Sequence, residues 1–569
     1  MLRNSILYLC LLVGAFVLLP QYGCQPQVSE EKVPLPSPDP GNGGIQLPPD
    51  FGAVVVADSL GRGRHLAVNH NGDVYVHLRR LTPDSNAIMA LRDTTGDGKA
   101  DVIAGFSRVT GTGIRIHNDY LYYSDHTTVY RSPLQQGVLL PTSQTDTLVH
   151  LVEGRGHIDK PFTFDGKGNM YVNVGSMSNA CQEEARTPGS PGINPCVELE
   201  TRAGIWRFSD SERHQQQSLD KRYATGIRNA MGLAWSEAFQ SLYAVSHGRD
   251  DLHRFWPDLF TEAQNVELPA EEFLQVSEGD DFGWPYCYYD HFKGQKLLNP
   301  EYGGNGVTVG ICAEKKKPIM GFPGHWAPND LLFYTGDLFP ERYKNGAFIA
   351  FHGSWNRLGT NQAGFCVVFV PMQDGKPSGN WEVFADGFVG AVPVTSSNKA
   401  RYRPCGLAQG PDGSLYVVDS QQGRVWRIMY YEEGLEEHPA SEIAEAAIDT
   451  TQAASAQVPE ALQAGKQVYD FYCMACHQDN GLGVSGMNPP LAGTDWVTGD
   501  KQRLIRVILN GMNEPIEING ETYQNAMASH RHLTDQQIAD VLTYIRQSFG
   551  NNASAVSPEE VAAVRAGEG

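Results

Sequence analysis

The stretch GPDGSLYVVD, Gly410 to Asp419, joins a tight turn to a short strand of aromatic and β-branched residues. Asp and Gly favour the turn, and Leu, Tyr and Val favour the strand. Five further stretches share this layout, the last two more loosely: NHNGDVYVHL from Asn69, DGKGNMYVNVG from Asp165, FQSLYAVSHG from Phe239, NDYLYYSD from Asn118 and YKNGAFIAFHG from Tyr343. No helix-period segment of comparable length separates them, so the pattern predicts an all-β region over residues 47–429.

Strand units that recur in this way are typical of a β-propeller. Radial repetition protects the edges of the strands and leaves a channel along the axis. We predict a six-bladed propeller, with seven blades as the alternative.

The chain changes character after this region. Residues 430–457 are rich in Glu, Ala and Ser, which predicts a linker. Beyond it, PEALQAGKQVYDFYC, DKQRLIRVILNGM and LTDQQIADVLTYIRQSF are helical in pattern; in the third, Thr534 can cap the helix, and Ile538, Val541, Leu542 and Ile545 share one face. We therefore predict a small all-α domain over residues 458–550 and a C-terminal tail over residues 551–569.

The motif CMACH places Cys473 and Cys476 two residues apart and His477 directly after them. This spacing is typical of covalent haem attachment, in which two thiols add to the vinyl groups of the porphyrin and the histidine ligates the iron. A redox disulfide or half of a zinc site is the alternative. Neither a βαβ pattern around the motif nor a second CxxC supports it, so the motif predicts haem c.

The sixth iron ligand is predicted to be Met527, fifty residues downstream of His477, with Met487, Met512, His530 and His532 as alternatives. Residues 458–550 resemble a class I bacterial cytochrome c in YCMACH, NPPLAGTDW, the Met527 loop and DVLTYIR. Ala528 stands where many members have proline. Ligation by Met and His raises the reduction potential, which suits an electron acceptor.

The N-terminus has the layout of an export signal. Arg3 precedes the apolar run ILYLCLLVGAFVLL, which is too short to span a membrane as a helix. Residues 1–23 are therefore predicted to be a lipoprotein-type signal peptide with lipidation at Cys24, although Gln21 and Tyr22 depart from the usual residues. Residues 24–46 are Pro-rich and predict a tether. We expect an exported protein on the periplasmic side, held at a bacterial membrane by a lipid anchor.

Charge and cysteine content narrow the possible partners. The chain has 44 Lys and Arg against 65 Asp and Glu, a formal charge of −21, which argues against nucleic acid as a partner. Six cysteines remain outside the signal, the Cys24 site and the haem motif, and an even number suits three disulfides. Proximity favours Cys181 with Cys196 and Cys287 with Cys312, among 15 possible pairings.

The β region has no GxGxxG motif opening a βαβ unit, so nicotinamide and flavin binding by that route are unsupported. Instead, about Phe51 to Ile428 resembles the PQQ-dependent glucose dehydrogenases, and more closely their sorbosone and pyranose dehydrogenase branch. The matching stretches are RGRHLAVNHNGDVYV from Arg62, GHIDKPFTFDGKGNMYVNVGS from Gly156, ATGIRNAMGLAW from Ala224, SHGRDDLHRFWPDLF from Ser246, DDFGWPYCYY from Asp280, AFIAFHGSWNR from Ala347 and RYRPCGLAQGPDGSLYVVD from Arg401.

This resemblance implies a role for individual residues. His157 corresponds to the catalytic base. The implied PQQ contacts are Arg228, Asn229, Arg401 and Arg403, with Asp419 beside the last two, and Arg64 and Arg357 as looser matches. The main-chain carbonyls of Gly248 and Arg249 correspond to ligands of a calcium ion bound to PQQ.

The chemistry of PQQ agrees with these residue types. Its three carboxylates need fixed guanidinium groups, and RYR supplies two on one side of an extended segment. A calcium ion can polarise the quinone, and a neutral histidine can take a proton from a substrate hydroxyl. Structural roles are the alternative: an ion pair between blades for Arg228, a satisfied core histidine for His157, and turn capping for Asp419 and Asp165. The segment DTTGDGKAD from Asp93 is predicted to be a turn rather than a calcium loop.

The predicted function is that of a quinohaemoprotein dehydrogenase. A sugar, or a related alcohol or aldehyde hydrate, is oxidised at PQQ, and electrons pass to the haem and then to a downstream cytochrome or oxidase. The alternatives are a sugar- or partner-binding propeller with an electron-carrier cytochrome, and a propeller lactonase that uses calcium without a quinone.

Overall fold

The computed structural model describes most of the chain: residues 35–357, 361–390, 394–432, 459, 462–473, 477, 481–483, 489–512, 514–518, 521–523, 527, 530–531 and 533–567. Cys24 and Cys476 lie outside the described residues, as does the predicted signal peptide. Within the described residues, no helix has both the length and the apolar character that crossing a membrane requires.

Six four-stranded antiparallel blades form the β region, which confirms the six-bladed propeller. From the axis outward, blade 1 is Gly63–Val68, Val74–Leu78, Ile88–Arg92 and Val102–Phe106; blade 2 is Ile114–His117, Tyr120–Ser124, Thr128–Pro133 and Asp146–His150, extended by Gln215–Gln216; blade 3 is Phe162–Phe164, Asn169–Val174, Gly204–Ser209 and Arg222–Thr225.

The remaining blades follow the same order. Blade 4 is Ala230–Ser236, Ser241–Ser246, Glu271–Val276 and Met320–Phe322; blade 5 is Pro328–Phe333, Ala347–His352, Phe365–Val370 and Glu382–Ala385; blade 6 is Pro404–Gln409, Leu415–Asp419, Val425–Tyr430 and Phe51–Ala57. Inner strands of neighbouring blades contact each other around a closed ring.

Blade 6 closes the ring with strands from both ends of the propeller sequence. The N-terminal strand Phe51–Ala57 pairs antiparallel with Val425–Tyr430, starting with Phe51 opposite Tyr430. Its side chains enter an aromatic core with Phe339, Tyr343 and Phe384. The first and last strands therefore depend on each other for burial.

The register of the inner hairpins places functional residues at one end of the axis. Each inner strand pairs antiparallel with the second strand of its blade, as in Pro404 opposite Asp419 and Ala230 opposite Ser246. Residues that precede inner strands therefore lie beside residues that follow second strands. Most of the implied PQQ residues belong to these two classes of loop, whereas Arg64 lies in the inner strand of blade 1 and Asp419 ends the second strand of blade 6.

Smaller elements decorate the propeller. The hairpins are Cys287–Asp290 with Gln295–Leu298 and Met372–Gln373 with Lys376–Pro377, the helices are Leu252–Phe255 and Glu262–Glu267, and the 3-10 turns are Pro40–Gly44, Val197–Glu200, Leu219–Lys221, Pro300–Tyr302, Gly310–Glu314, Glu341–Tyr343 and Ser397–Lys399. Residues 93–101 form the turn between the outer strands of blade 1. There Asp93 and Asp101 accept backbone N–H bonds from Gly96 and Thr94.

The structure corrects the expectation of three disulfides. Cys181 with Cys196 and Cys287 with Cys312 are bonded as the sequence favours, but Cys366 and Cys405 are separate buried thiols. Cys366 lies on the third strand of blade 5 and Cys405 on the inner strand of blade 6. An even count of cysteines therefore did not imply a third bond.

Part of the predicted tether packs against the propeller. Asp39 donates its N–H to the carbonyl of Ala53 at 2.9 Å and pairs with Lys99 at 2.7 Å. The hydroxyl of Tyr431 donates to the carbonyl of Pro36 at 2.7 Å. Residues 36–46 therefore pack against the propeller, whereas the sequence predicted an extended tether.

The C-terminal domain is helical, as predicted. Its described helices are Gln463–Tyr472, Asp495–Thr498, Lys501–Asn510, Asp535–Gln547 and Pro558–Ala566, and its one described hairpin pairs Ile516–Ile518 with Glu521–Tyr523. Thr534 caps its helix reciprocally with Gln537. Residues 551–569, which we expected to form a tail, contain the last helix, and its Val561 and Val564 join the domain core.

Candidate functional site

His157 precedes the inner strand of blade 3 and lies against the loop after the second strand. Its Nδ1 lies 3.0 Å from the carbonyl oxygen of Ser176, which can only accept, so Nδ1 carries the proton and Nε2 keeps a free lone pair. A Cβ on Gly175 would lie 2.6 Å from the Cβ of His157, which explains the glycine. Burial, followed by the charge of Arg228, lowers the pKa of His157 to about 3.

Arg228 is held by three groups at the start of blade 4. Its Nη1 donates to the carbonyl of Gly248 at 2.8 Å, its Nη2 pairs with Asp250 at 3.1 Å, and its Nε donates to the carbonyl of Asn179. The guanidinium is fixed and its charge is compensated by Asp250. The structural alternative was an ion pair between blades, but Asp250 follows the second strand of blade 4, whose inner strand Arg228 precedes, so this pair lies within one blade.

Asn229 and His247 continue this wall of the site. The N–H of His247 donates to the carbonyl of Asn229 at 3.0 Å, and Nε2 of His247 lies 3.0 Å from the carbonyl of Pro328. Burial and Arg228 lower the pKa of His247 to about 4. The ring is therefore neutral at physiological pH.

Arg403 lies across the axis, between blades 5 and 6. Its Nε and Nη2 donate to the carbonyls of His352 and Gly353 at 2.9 and 2.8 Å. Among the described residues, no carboxylate lies within ion-pair distance of this guanidinium. Burial, opposed by Cys405 and reinforced by Arg64, lowers its pKa to about 10. An anionic group bound here would meet a guanidinium that, within the described residues, has no ion-pair partner.

The structure separates the two arginines of RYR. Arg401 is exposed and lies over the ring of Tyr402, with its CZ atom 5.1 Å from the ring centroid. Asp419 lies beside Arg403 as expected, but its carboxylate accepts backbone N–H bonds from Arg403, Gln421, Gln422 and Gly423. Asp419 therefore shapes the turn through the main chain.

Two looser matches have other partners in the structure. Arg64 is buried, donates to the hydroxyl of Thr112 at 3.1 Å and pairs with Asp159 at 3.5 Å. Arg357 pairs with Glu267 at 2.7 Å. Its neighbour Asn356 instead reaches the cluster, because its Nδ2 donates to Asp250 at 3.0 Å.

A small cavity lies behind Arg228 and is lined in part by Arg249, Tyr288 and Asn299. Three buried atoms of these residues, Nη2, Oη and Oδ1 respectively, have no hydrogen-bond partner within the described part of the chain. The cavity is therefore polar. His157 is not part of its lining, so the axial cluster, rather than this cavity, is the candidate site.

One of the two carbonyls that the resemblance implies as calcium ligands already accepts a hydrogen bond in this structure. The carbonyl of Gly248 accepts from Arg228, and the side chain of Arg249 pairs with Glu301. A cation at Gly248 would use the second lone pair of that carbonyl. Across the residues that the structure describes, no group of three or more His, Cys, Asp or Glu side chains is arranged to hold a metal.

The haem motif occupies a site with matching chemistry. Cys473 ends the first cytochrome helix as a buried thiol, and Nδ1 of His477 donates to the carbonyl of Pro489 at 2.8 Å. That bond leaves Nε2 to face a metal. Met527 packs against the same core and exchanges both backbone hydrogen bonds with Met512. These residues fit a covalently bound haem.

Sequence reasoning missed three residues of the axial cluster: Asp250, His247 and His352. His352 is the last residue of the second strand of blade 5, and its Nε2 lies 2.5 Å from the hydroxyl of Ser420. All three lie at or just after the end of a second strand, and this position was the signal that could have identified them. Their partners lie far away in sequence.

Comparison with known proteins agrees with both domains. Residues 45–431 match the family model described as TrAA12-like, and residues 462–549 match that of cytochrome c. The first match covers more than half of the chain. The protein therefore belongs to the TrAA12-like family, with a PQQ-dependent sugar dehydrogenase type of propeller, and carries a cytochrome c domain.

Individual relatives are distant in the propeller and nearer in the cytochrome. The holo PQQ domain of pyranose dehydrogenase from Coprinopsis cinerea is 19% identical, with a TM-score of 0.55 over 70% of this chain and 98% of that chain. A calcium structure of the Trichoderma reesei family AA12 enzyme is 16% identical, also with a TM-score of 0.55, over 70% and 99%. Cytochrome c-552 of Thermus thermophilus is 38% identical over 91 residues, 15% of this chain and 69% of that protein.

Proposed function

We propose that the protein is a quinohaemoprotein dehydrogenase that oxidises a sugar, or a related alcohol or aldehyde hydrate, at PQQ in the propeller. Electrons then pass to its own c-type haem and on to a respiratory cytochrome or oxidase. The observation that carries the proposal is the charge pattern at the axis. A neutral histidine, His157, lies beside a fixed guanidinium, Arg228, while Arg403 lacks a carboxylate partner among the described residues.

The donor set suits a polyanionic ring. Arg403 and Arg228 can each donate charge-assisted hydrogen bonds in fixed directions, which is how planar carboxylates are recognised. Arg403 donates to the carbonyl of His352, and Arg228 donates to the carbonyl of Gly248. These hydrogen bonds hold both guanidinium groups in place before a ligand binds. Bound PQQ would supply the ortho-quinone that accepts the hydride.

His157 is the group in this chain that can move a proton. Its Nδ1–H is bonded to Ser176, so Nε2 can accept the hydroxyl proton of a substrate. The low pKa arises partly from Arg228. Because an anion held against Arg228 would offset this repulsion, we expect cofactor binding to raise the pKa of His157 towards the working pH.

The remaining assignments belong to the same proposal. A calcium ion at the carbonyls of Gly248 and Arg249 would polarise the quinone, and a calcium structure of the Trichoderma reesei relative supports this assignment. Export to the periplasmic side and lipidation at Cys24 would place the protein beside respiratory acceptors. Cys473 and Cys476 would hold the haem, with His477 and Met527 as iron ligands.

The test is a substrate screen on the holoprotein loaded with PQQ and calcium, compared with His157→Gln. We expect an aldose, pyranose, sorbosone-like sugar or alcohol to reduce the haem. His157→Gln should retain PQQ but lose roughly 10²- to 10⁴-fold in turnover. The exposed His150 provides the matched control His150→Gln, which should behave as wild type. Absence of PQQ binding and of haem reduction across the panel would reject the proposal.

A further inference from the structure

The propeller and the cytochrome domain meet at a pair of aromatic rings. Phe292 lies at the tip of the hairpin formed by Cys287–Asp290 and Gln295–Leu298, here called the 287–298 hairpin. Its ring stacks on that of Tyr472, with a centroid separation of 5.5 Å and an angle of 6° between the planes. Tyr472 is the last residue of the helix that leads into the haem motif.

On the cytochrome side, this contact touches both segments that carry the haem ligands. Tyr472 directly precedes Cys473, a thiol that would bond to the porphyrin. Its ring also meets His530 edge-on, with centroids 5.8 Å apart, and His530 lies three residues beyond Met527. Tyr472 is therefore positioned between the propeller and the predicted edge of the haem.

Two acidic residues of the propeller act electrostatically on the same tyrosine. Burial, followed by the charges of Glu267 and Asp290, raises the pKa of the Tyr472 hydroxyl. Asp290 ends the first strand of the hairpin and anchors its tip, because its carboxylate pairs with Lys293 at 3.0 Å. The charges of Glu267 and Asp290 therefore act on the Tyr472 side of the contact.

On the propeller side, the hairpin begins at the cavity behind Arg228. Cys287 and Tyr288 line the cavity behind Arg228, together with Arg249. The disulfide from Cys287 to Cys312 fixes this end. The strand from Cys287 to Asp290 covers about 10 Å, at roughly 3.3 Å per residue, and the turn that follows it carries Phe292. One hairpin thus runs from the cavity behind Arg228 to the haem domain.

We propose that the 287–298 hairpin is the docking platform through which the propeller passes electrons to the cytochrome, and that the Phe292–Tyr472 stack holds the two redox sites together. This inference rests on the proposed function. Oxidation of one hydroxyl-bearing carbon releases two electrons and two protons. The protons leave to solvent, one of them by way of His157, and the haem iron takes one electron at a time from Fe(III) to Fe(II). Two transfers balance one turnover, and the external acceptor reoxidises the iron between them.

An aromatic stack is suited to this role. The linker keeps the cytochrome at a high effective concentration near the propeller, so a small contact is sufficient to select the productive orientation. Stacked rings contribute orientation as well as apolar contact. Removal of the Phe292 ring should therefore disturb docking without disturbing the axial cluster.

The experiment uses the full-length holoprotein with Phe292→Ser, Phe292→Leu and Phe292→Tyr. Hydrogen exchange of the hairpin and of the helix Gln463–Tyr472 reports docking without any substrate. We expect exchange to rise by about tenfold in Phe292→Ser, to rise less in Phe292→Leu and to stay at the wild-type level in Phe292→Tyr, which keeps the stack. The control is Val307→Ser, at an apolar position that is 66% exposed in the segment after the hairpin.

A second measurement separates docking from chemistry. A small dye that accepts electrons directly from the propeller should give unchanged turnover in Phe292→Ser, whereas haem reduction by substrate should slow by about tenfold. Wild-type exchange and wild-type haem reduction in Phe292→Ser would overturn the inference. If wild type shows no dye-coupled turnover, the proposed function fails, and unchanged exchange in Phe292→Ser would independently reject the docking contact. If Phe292→Ser does not fold, the same comparison is made with Phe292→Leu.

Discussion

Arg228 and Asp250 form a buried ion pair at the axis of the propeller, with Nη2 and Oδ2 3.1 Å apart. The same carboxyl group of Asp250 accepts from Arg186 at 2.7 Å and from Asn356 at 3.0 Å. Arg186 belongs to the loop closed by the Cys181–Cys196 disulfide, and Asn356 follows the second strand of blade 5. Asp250 therefore joins three loops around one guanidinium.

Replacement of Asp250 by Asn should destabilise the propeller strongly. The amide keeps the shape but leaves the Arg228 side chain, 5% exposed, without its countercharge. Breaking a buried pair in this way costs about 3–5 kcal/mol of unfolding free energy. Urea unfolding of the full-length protein measures the loss, with the exposed Asp258→Asn as control. Equal stability of the two variants would show that Asp250 is not the countercharge.

The two arginines of RYR should differ in their effect on PQQ binding. Arg403 is fixed by two carbonyls and lacks a described carboxylate partner, whereas Arg401 is exposed. A hydrogen bond to a charged group contributes about 1.5–3 kcal/mol, so Arg403→Ala should weaken PQQ binding by about 10- to 150-fold. Arg401→Ala should change it by less than about threefold. Titration of each variant with PQQ measures its affinity, and an equal loss of affinity in both variants would contradict this assignment.

Local patterns predicted the parts of the molecule that local chemistry determines. Turn-and-strand units such as Gly410 to Asp419 identify blades because the turn residues and the alternating strand residues are adjacent in sequence. The haem motif is equally local, since Cys473, Cys476 and His477 must be neighbours to serve one porphyrin. Disulfide pairing by proximity succeeded for Cys181 and Cys287 for the same reason.

Partners that are distant in sequence were not predictable. Arg357 pairs with Glu267 on another blade, and Asp419 uses its carboxylate on a turn, although the sequence resemblance implied cofactor contacts for both. Nothing in the sequence indicated a role for Asp250, because its partners Arg228 and Asn356 come close to it only in the closed ring of blades. The sequence identifies the charged residues, but the packing of the blades determines which partner each charged side chain has.

Stability should fall as pH decreases from about 6.5 towards 4. Burial lowers the pKa of His65 from 6.5 to about 4, with Asp330 opposing the shift, and its Nε2–H donates to Asn329. Between these values the unfolded chain binds a proton that the folded protein does not. His65 therefore contributes full stability above pH 6.5 and costs up to about 3 kcal/mol near pH 4.

The variant His65→Gln isolates this contribution. Unfolding free energies measured at several pH values between 4 and 7 should depend less steeply on pH in the variant than in wild type. Replacement of the exposed His70 by Gln is the matched control and should leave the slope unchanged. Parallel curves for wild type and His65→Gln would rule out proton linkage at this residue.

The two unbonded thiols should be detectable without a reductant. Cys366 and Cys405 are buried, and burial raises the pKa of both thiols, so neither should react with an alkylating reagent in the native protein. After denaturation without reductant, mass spectrometry should find both alkylated, whereas Cys181 and Cys287 should need reduction first. A requirement for reductant at Cys366 and Cys405 would restore the third disulfide.

Two methionines that lie side by side, Met527 and Met512, can be compared as candidates for the sixth iron ligand. The N–H of Met527 donates to the carbonyl of Met512 at 2.7 Å, and the reverse bond is 2.9 Å, so the main chain brings both residues to the same place. Met527→Ala should lower the haem reduction potential on the order of 0.1 V, within the ~0.8 V range that axial ligands span.

Spectroelectrochemical titration of the holoprotein measures this change, with Met512→Leu as the control that keeps an apolar side chain at the neighbouring position. Thioether ligation stabilises Fe(II), so loss of the true ligand must favour the oxidised iron. Met527→Ala should also change the ligand-field spectrum of the oxidised haem, whereas Met512→Leu should not. A fall in potential in Met512→Leu, with Met527→Ala unchanged, would assign the iron ligand to Met512 instead.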